Sequence, residues 1–150
     1  MRWSNFTAMR KVWIVPLVVF AIFSSQCKKD QNDRVPNVPV DITINISLPS
    51  YNALSVTGGF VYVTGGSNGI LVYRASEDEF AALDRHCTYD VPEYHRVTVD
   101  STNIIASDQP GCGSGFIITD GSVVRGPAFV PLTRYDATYN ATTQLVRIFN

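Results

Sequence analysis

The sequence predicts an all-β domain, a small sandwich or barrel. Three observations carry that prediction. From residue 40 onward, apolar residues recur with a period of two. The apolar stretches are short and are separated by Gly, Pro, Asn and Asp, the residues that end strands and build turns. No stretch beyond residue 40 has the spacing of a long amphipathic helix.

The elements follow in chain order. Val40, Ile42, Ile44 and Ile46 alternate with Asp41, Thr43, Asn45 and Ser47, as a strand with one buried face requires. "GFVYVTG" (59–65) and "ILVYR" (70–74) are joined by the turn residues "GSNG", which predicts a hairpin. Ser76 and Glu79 form a capping-box pair, but the apolar stretch behind them is too short for more than one helical turn. Further strands are predicted at "FAALD" (80–84), "RVTVD" (96–100), "NIIAS" (103–107), "FIIT" (116–119), "FVPLTRYDATY" (129–139) and "QLVRIF" (144–149).

The first 27 residues stand apart. Arg2, Arg10 and Lys11 precede the apolar run "VWIVPLVVFAIF" (12–23), and small polar residues lead to Cys27. This is the layout of a secretory signal, expected as a signal helix, and its apolar run is short for a bilayer span. A cysteine directly after such a run resembles the lipidation site of bacterial lipoproteins, which implies a lipid on Cys27; an uncleaved anchor and plain secretion are the alternatives. The expected organisation is a signal peptide over 1–27, a charged, proline-containing tether over 28–39 and the β domain over 40–150. The expected location is the bacterial cell envelope, with the lipid anchor in a membrane and the domain facing the periplasm or the exterior.

From residue 28 on, nine basic residues stand against 13 acidic ones, a net charge of −4. No basic stripe is present, so nucleic acid is excluded as a partner. Of the three cysteines, the lipid takes Cys27, leaving Cys87 and Cys112 in a compartment where disulfides persist. "GCGSG" around Ser114 superficially matches a nucleophile elbow, but a strand follows where the elbow needs a helix, so Ser114 is expected to bond loop backbone and no catalytic residue is assigned. Asp90, Glu93, His95 and Asp108 match no metal-loop spacing and read as solvated surface charges.

Three stretches in order resemble a Rieske domain, the small β fold that holds a [2Fe-2S] cluster between two loops. "FAALDRHCTYD" (80–90) is similar to the first cluster loop, an apolar strand running into Asp-Arg and then Cys-x-His. "QPGCGSGF" (109–116) is similar to the second, Cys-Pro-x-His-Gly-Ser-x-Phe, and "DGSVVRGPAFVPLTRY" (120–135) to the stretch that follows it. The resemblance spans about residues 59 to 150 and implies a β-sandwich carrying a cluster-loop subdomain.

Of the four ligand slots that the resemblance implies, Cys87 keeps its cysteine. Tyr89 stands in the first histidine slot, Gln109 in the second cysteine slot and Cys112 in the second histidine slot. A phenol and a carboxamide are poor substitutes for imidazole and thiolate on iron. Tyr89 is therefore expected to fill the vacated volume with its ring and to bond a loop carbonyl through its hydroxyl. The resemblance also implies that the two loops face one another, so that Cys87 and Cys112 form a disulfide in place of the cluster. No cofactor is expected, and the function is expected to be binding or structural, with an unidentified envelope protein or ligand as partner. The alternative is a [2Fe-2S] electron carrier with atypical ligation by Cys87 and Cys112, supplemented by His86 or His95. A thiol-disulfide role for the pair is disfavoured by the lack of a Cys-x-x-Cys motif.

Overall fold

The computed structural model describes residues 34–150, which form one compact unit. Ten strands run through it: β1 (Asp41–Asn45), β2 (Phe60–Val63), β3 (Ile70–Arg74), β4 (Phe80–Asp84), β5 (Thr98–Val99), β6 (Ile105–Ser107), β7 (Gly115–Ile117), β8 (Val123–Arg125), β9 (Arg134–Asn140) and β10 (Leu145–Phe149). They make a six-stranded antiparallel sheet in the order β1-β10-β9-β4-β3-β2 and a four-stranded antiparallel sheet in the order β5-β6-β7-β8. The smaller sheet is an insertion between β4 and β9, and it carries the loops of interest.

Two apolar cores lie on opposite faces of β3 and β4. Ile70, Val72, Phe80 and Ala82 pack with Ile44, Ile46, Leu54, Val146 and Ile148 in the first. Leu71 and Leu83 point the other way, into a second core with Val97, Ala106, Phe116, Ile118, Ala128 and Leu132. Burial on both faces explains why "ILV" and "FAALD" are continuous apolar runs while β1 at the sheet edge alternates. Cys87 belongs to the second core, so the functional loops are built on packed apolar residues.

The "GSNG" turn joins β2 to β3 and is held from below by one carboxylate. Asp84 is fully buried and accepts from Ser67 N–H (2.6 Å), Asn68 N–H (3.2 Å), His86 N–H (2.8 Å) and the Tyr135 hydroxyl (2.7 Å). A Cβ on Gly66, whose φ is +62°, would collide with that carboxylate and hydroxyl, so glycine is required there twice over. Burial first, and then the Asp84 carboxylate, pushes the Tyr135 phenol above its ordinary 10.0.

Some expectations differ from the structure. Residues 76–79 form the β3–β4 hairpin turn, closed by Ala75 N–H on Glu79 O; Glu79 N–H does donate to Ser76 Oγ (3.2 Å), but no helix starts there. The predicted strand over 129–139 starts at Arg134, because Ala128 and Leu132 are drawn into the second core before the chain enters the sheet. A 3-10 helix, Pro49–Ser55, buries Leu54 where no element was predicted. Cys27, the signal segment and the first part of the tether lie outside the described residues. Among those described, no helix is long and apolar enough to cross a membrane.

Candidate functional site

Three loops meet above the second core. The first runs from Arg85 to Val97, the second from Asp108 to Ser114, and the third from Gly126 to Leu132. Short bonds lock them. Thr88 Oγ1 donates to Val130 O (2.5 Å), Ala128 N–H donates to Ser114 Oγ (2.9 Å), and Arg125 Nε donates to Gly113 O (2.8 Å). Ser114 therefore does bond backbone, but that of the third loop and not its own. Its hydroxyl also receives the Cys112 thiol at 2.9 Å, an interaction between near neighbours that fixes the cysteine side chain.

Cys87 and Cys112 face each other as free thiols, joined by a thiol–thiol hydrogen bond with sulfurs 3.7 Å apart and by no disulfide. Cys87 is fully buried and Cys112 half-buried. Burial pushes the Cys87 thiol up to about 12; the Tyr89 backbone N–H on its sulfur opposes this, and the nearby Cys112 and Asp108 add to it.

Asp108 is not a solvated surface charge. Only 3% exposed, it accepts from Cys112 N–H (2.9 Å) and from His95 Nδ1 (3.1 Å), both on Oδ2. Burial acts to raise its pKa, but the hydrogen bonds from Cys112 and then His95 outweigh it and hold the carboxyl below its ordinary 3.8. Asp90 and Glu93 do not join it: the metal-capable group that converges here is Cys87, Asp108 and Cys112, with ligand atoms within 4.8 Å of one another. The residue that betrays this arrangement in the sequence is Gly111, because a Cβ there would run into the Asp108 carboxylate and the His95 ring. A glycine three residues after an acidic one is too common a pattern to have flagged it beforehand.

The histidines and the substituted slots are placed as follows. His86 is buried, its Nδ1 accepting from Ser67 Oγ (2.8 Å) and its Nε2 donating to Val91 O (2.9 Å), so neither ring nitrogen is available to a metal. His95 is committed through Nδ1 to Asp108. Gln109 is exposed. The Tyr89 ring does not fill the space between the loops: it is 40% exposed, and its hydroxyl makes no hydrogen bond to a described residue.

Comparisons with known proteins identify the architecture. No family model matches the sequence, and no curated protein matches it. Among solved structures, the plasma membrane Rieske protein of the cyanobacterium Synechocystis PCC 6803 superposes with a TM-score of 0.56 over 73% of this chain and 99% of that one, at 17% identity. The fold is Rieske-like. The ferredoxin of carbazole 1,9a-dioxygenase from Nocardioides aromaticivorans IC177 matches at a TM-score of 0.51 and 12% identity, over 74% of this chain and 96% of that one. At such identities the likeness carries the fold and leaves the chemistry to the residues.

Those residues do not fit a Rieske cluster. Such a cluster takes two thiolates on one iron and two imidazoles on the other. Here the imidazole slots hold Tyr89 and Cys112, both ring nitrogens of His86 are taken, and His95, bonded through Nδ1 to Asp108, offers one imidazole where the cluster needs two. The slots of Cys87 and Cys112 belong to different irons. Their sulfurs stand 3.7 Å apart, less than the sum of two metal–thiolate bonds of about 2.3 Å, with no room for a second metal.

Proposed function

We propose that this chain is an exported, lipid-anchored Rieske-like domain that carries no two-iron cluster. Its two former cluster loops are joined by a Cys87–Cys112 disulfide, and it serves a binding or structural role in the bacterial cell envelope instead of carrying electrons. The observation that supports this most directly is the 3.7 Å approach of the two sulfurs, one from each loop. A disulfide of about 2.05 Å requires the two sulfurs to close by less than about 2 Å from this distance. The missing imidazoles argue the same way from the opposite side: with no second pair of ligands, the loops need another staple. Two thiols in an exported chain supply one.

Lipidation of Cys27 and the envelope location rest on the charged, apolar and small-residue order of residues 1–27. The partner is a membrane, through the lipid, together with an envelope protein or ligand that docks on the domain. The test is alkylation of the detergent-solubilised full chain, unfolded with and without prior reduction, alongside its iron content. A disulfide predicts that Cys87 and Cys112 react only after reduction and that the chain is iron-free. Free thiols in an iron-loaded chain would instead establish the electron-transfer reading.

A further inference from the structure

We propose that, when the pair is reduced, Cys87 and Cys112 together with Asp108 form a site for a single thiophilic divalent ion of the zinc class. The proposal rests on the cluster-free reading above and concerns the dithiol form of the same loops.

The distances suit one ion and not two. A tetrahedral centre with zinc–thiolate bonds of ~2.3 Å holds its two sulfurs about 3.8 Å apart; the Cys87 and Cys112 sulfurs are separated by 3.7 Å. The third donor is the buried carboxylate of Asp108, and all three ligand atoms lie within 4.8 Å of one another. Both Cys112 N–H and His95 Nδ1 bond Oδ2, which leaves Oδ1 without either of those donors. His95 thereby becomes the outer partner that orients a ligating carboxylate, as is usual around metal centres. The fourth position is left for water or for a donor from a partner, and the loop that carries Cys112 is exposed at Gln109, Pro110 and Gly111.

Two thiolates and one carboxylate select a borderline-soft ion over calcium or magnesium, which take oxygen donors. Binding forms two metal–sulfur bonds and one metal–oxygen bond while both thiol protons leave to solvent, and no electron moves. Oxidation to the disulfide removes both sulfur ligands, so the ion and the disulfide exclude each other. The redox state of the pair selects the occupant.

The test uses the full chain in detergent, iron-free and reduced without oxygen, titrated with Co2+ and then Zn2+. The expected result is one Co2+ per chain with a thiolate-to-cobalt charge-transfer band and tetrahedral ligand-field absorption, displaced by Zn2+, and no binding by the disulfide form. Cys112→Ala halves the charge-transfer intensity, and Asp108→Asn keeps the intensity per bound ion but weakens affinity by about tenfold or more. Zn2+ also protects the half-buried Cys112 thiol of the unaltered chain from alkylation, a readout that does not depend on a variant folding. An iron-free dithiol chain that ignores cobalt, gives an octahedral spectrum or binds equally as the disulfide overturns the ion site alone. A chain isolated with two irons overturns the cluster-free reading before any cobalt is added.

Discussion

Cys87 and Cys112 project from different loops onto the same point, their sulfurs 3.7 Å apart above a core that includes Phe116, Val97 and Leu83. Removing one of the pair in the oxidised protein opens a loop of about 26 residues, worth on the order of 3 kcal/mol in the chain-entropy account. Cys112→Ala should therefore lower the denaturation midpoint strongly under oxidising conditions and only slightly in the presence of reductant. The check is a pair of urea titrations with and without a thiol-free phosphine.

The pH dependence of stability distinguishes dithiol from disulfide. In the dithiol form the folded chain holds the Cys87 thiol neutral up to about 12, whereas the unfolded chain ionises it near 9.0. Unfolding therefore gains favour as pH rises through that window, and stability present below pH 9.0 is lost towards about 12. The disulfide form lacks this loss because no thiol titrates. Chemical denaturation in steps through the window should show the two forms diverging.

At the acid end the sign reverses. Asp108 is held below its ordinary 3.8, so its contribution is present above that value and declines as the pH falls further. Asp108→Asn should flatten this acid limb and reduce the alkaline one only in part, because burial, the main cause of the raised Cys87 thiol, stays while the Asp108 charge that adds to it is gone, as followed by tryptophan-free tyrosine fluorescence of the domain or by circular dichroism.

The Asp84 carboxylate ties the "GSNG" turn, β4 and β9 together, and the Tyr135 hydroxyl donates one of its four hydrogen bonds. Tyr135→Phe should cost about 1–3 kcal/mol by leaving a buried acceptor short of one donor. Gly66→Ala should cost about 1–3 kcal/mol from its left-handed backbone, with the collision against Asp84 and Tyr135 added. Both are measured by equilibrium unfolding.

Much of the fold was legible because the strands obey simple periodicities. β1 alternates, and the hairpin of β2 and β3 announces itself through "GSNG". β8 escaped prediction: Val123–Arg125 is three residues long and largely exposed, with no apolar alternation to read. The helix Pro49–Ser55 escaped because no side-chain cap marks its start. At the site, the facing of Cys87 and Cys112 was reachable only through the family resemblance, since 25 residues separate them in sequence. The burial of Asp108 was reachable by neither route. It depends on His95 and on the narrow passage at Gly111, contacts that only the folded loops create.

Replacing Cys27 tests the anchor. Cys27→Ser should move the chain from the membrane fraction of an expressing bacterium and abolish incorporation of labelled fatty acid, whereas the Cys87→Ala variant should keep both.

The most direct measurement of the central claim is the iron content and visible absorption of the full chain purified, without oxygen, from a host that assembles iron–sulfur clusters. The account predicts a colourless protein with iron far below one atom per chain. A coloured protein with two irons per chain and the absorption of a [2Fe-2S] centre would contradict it.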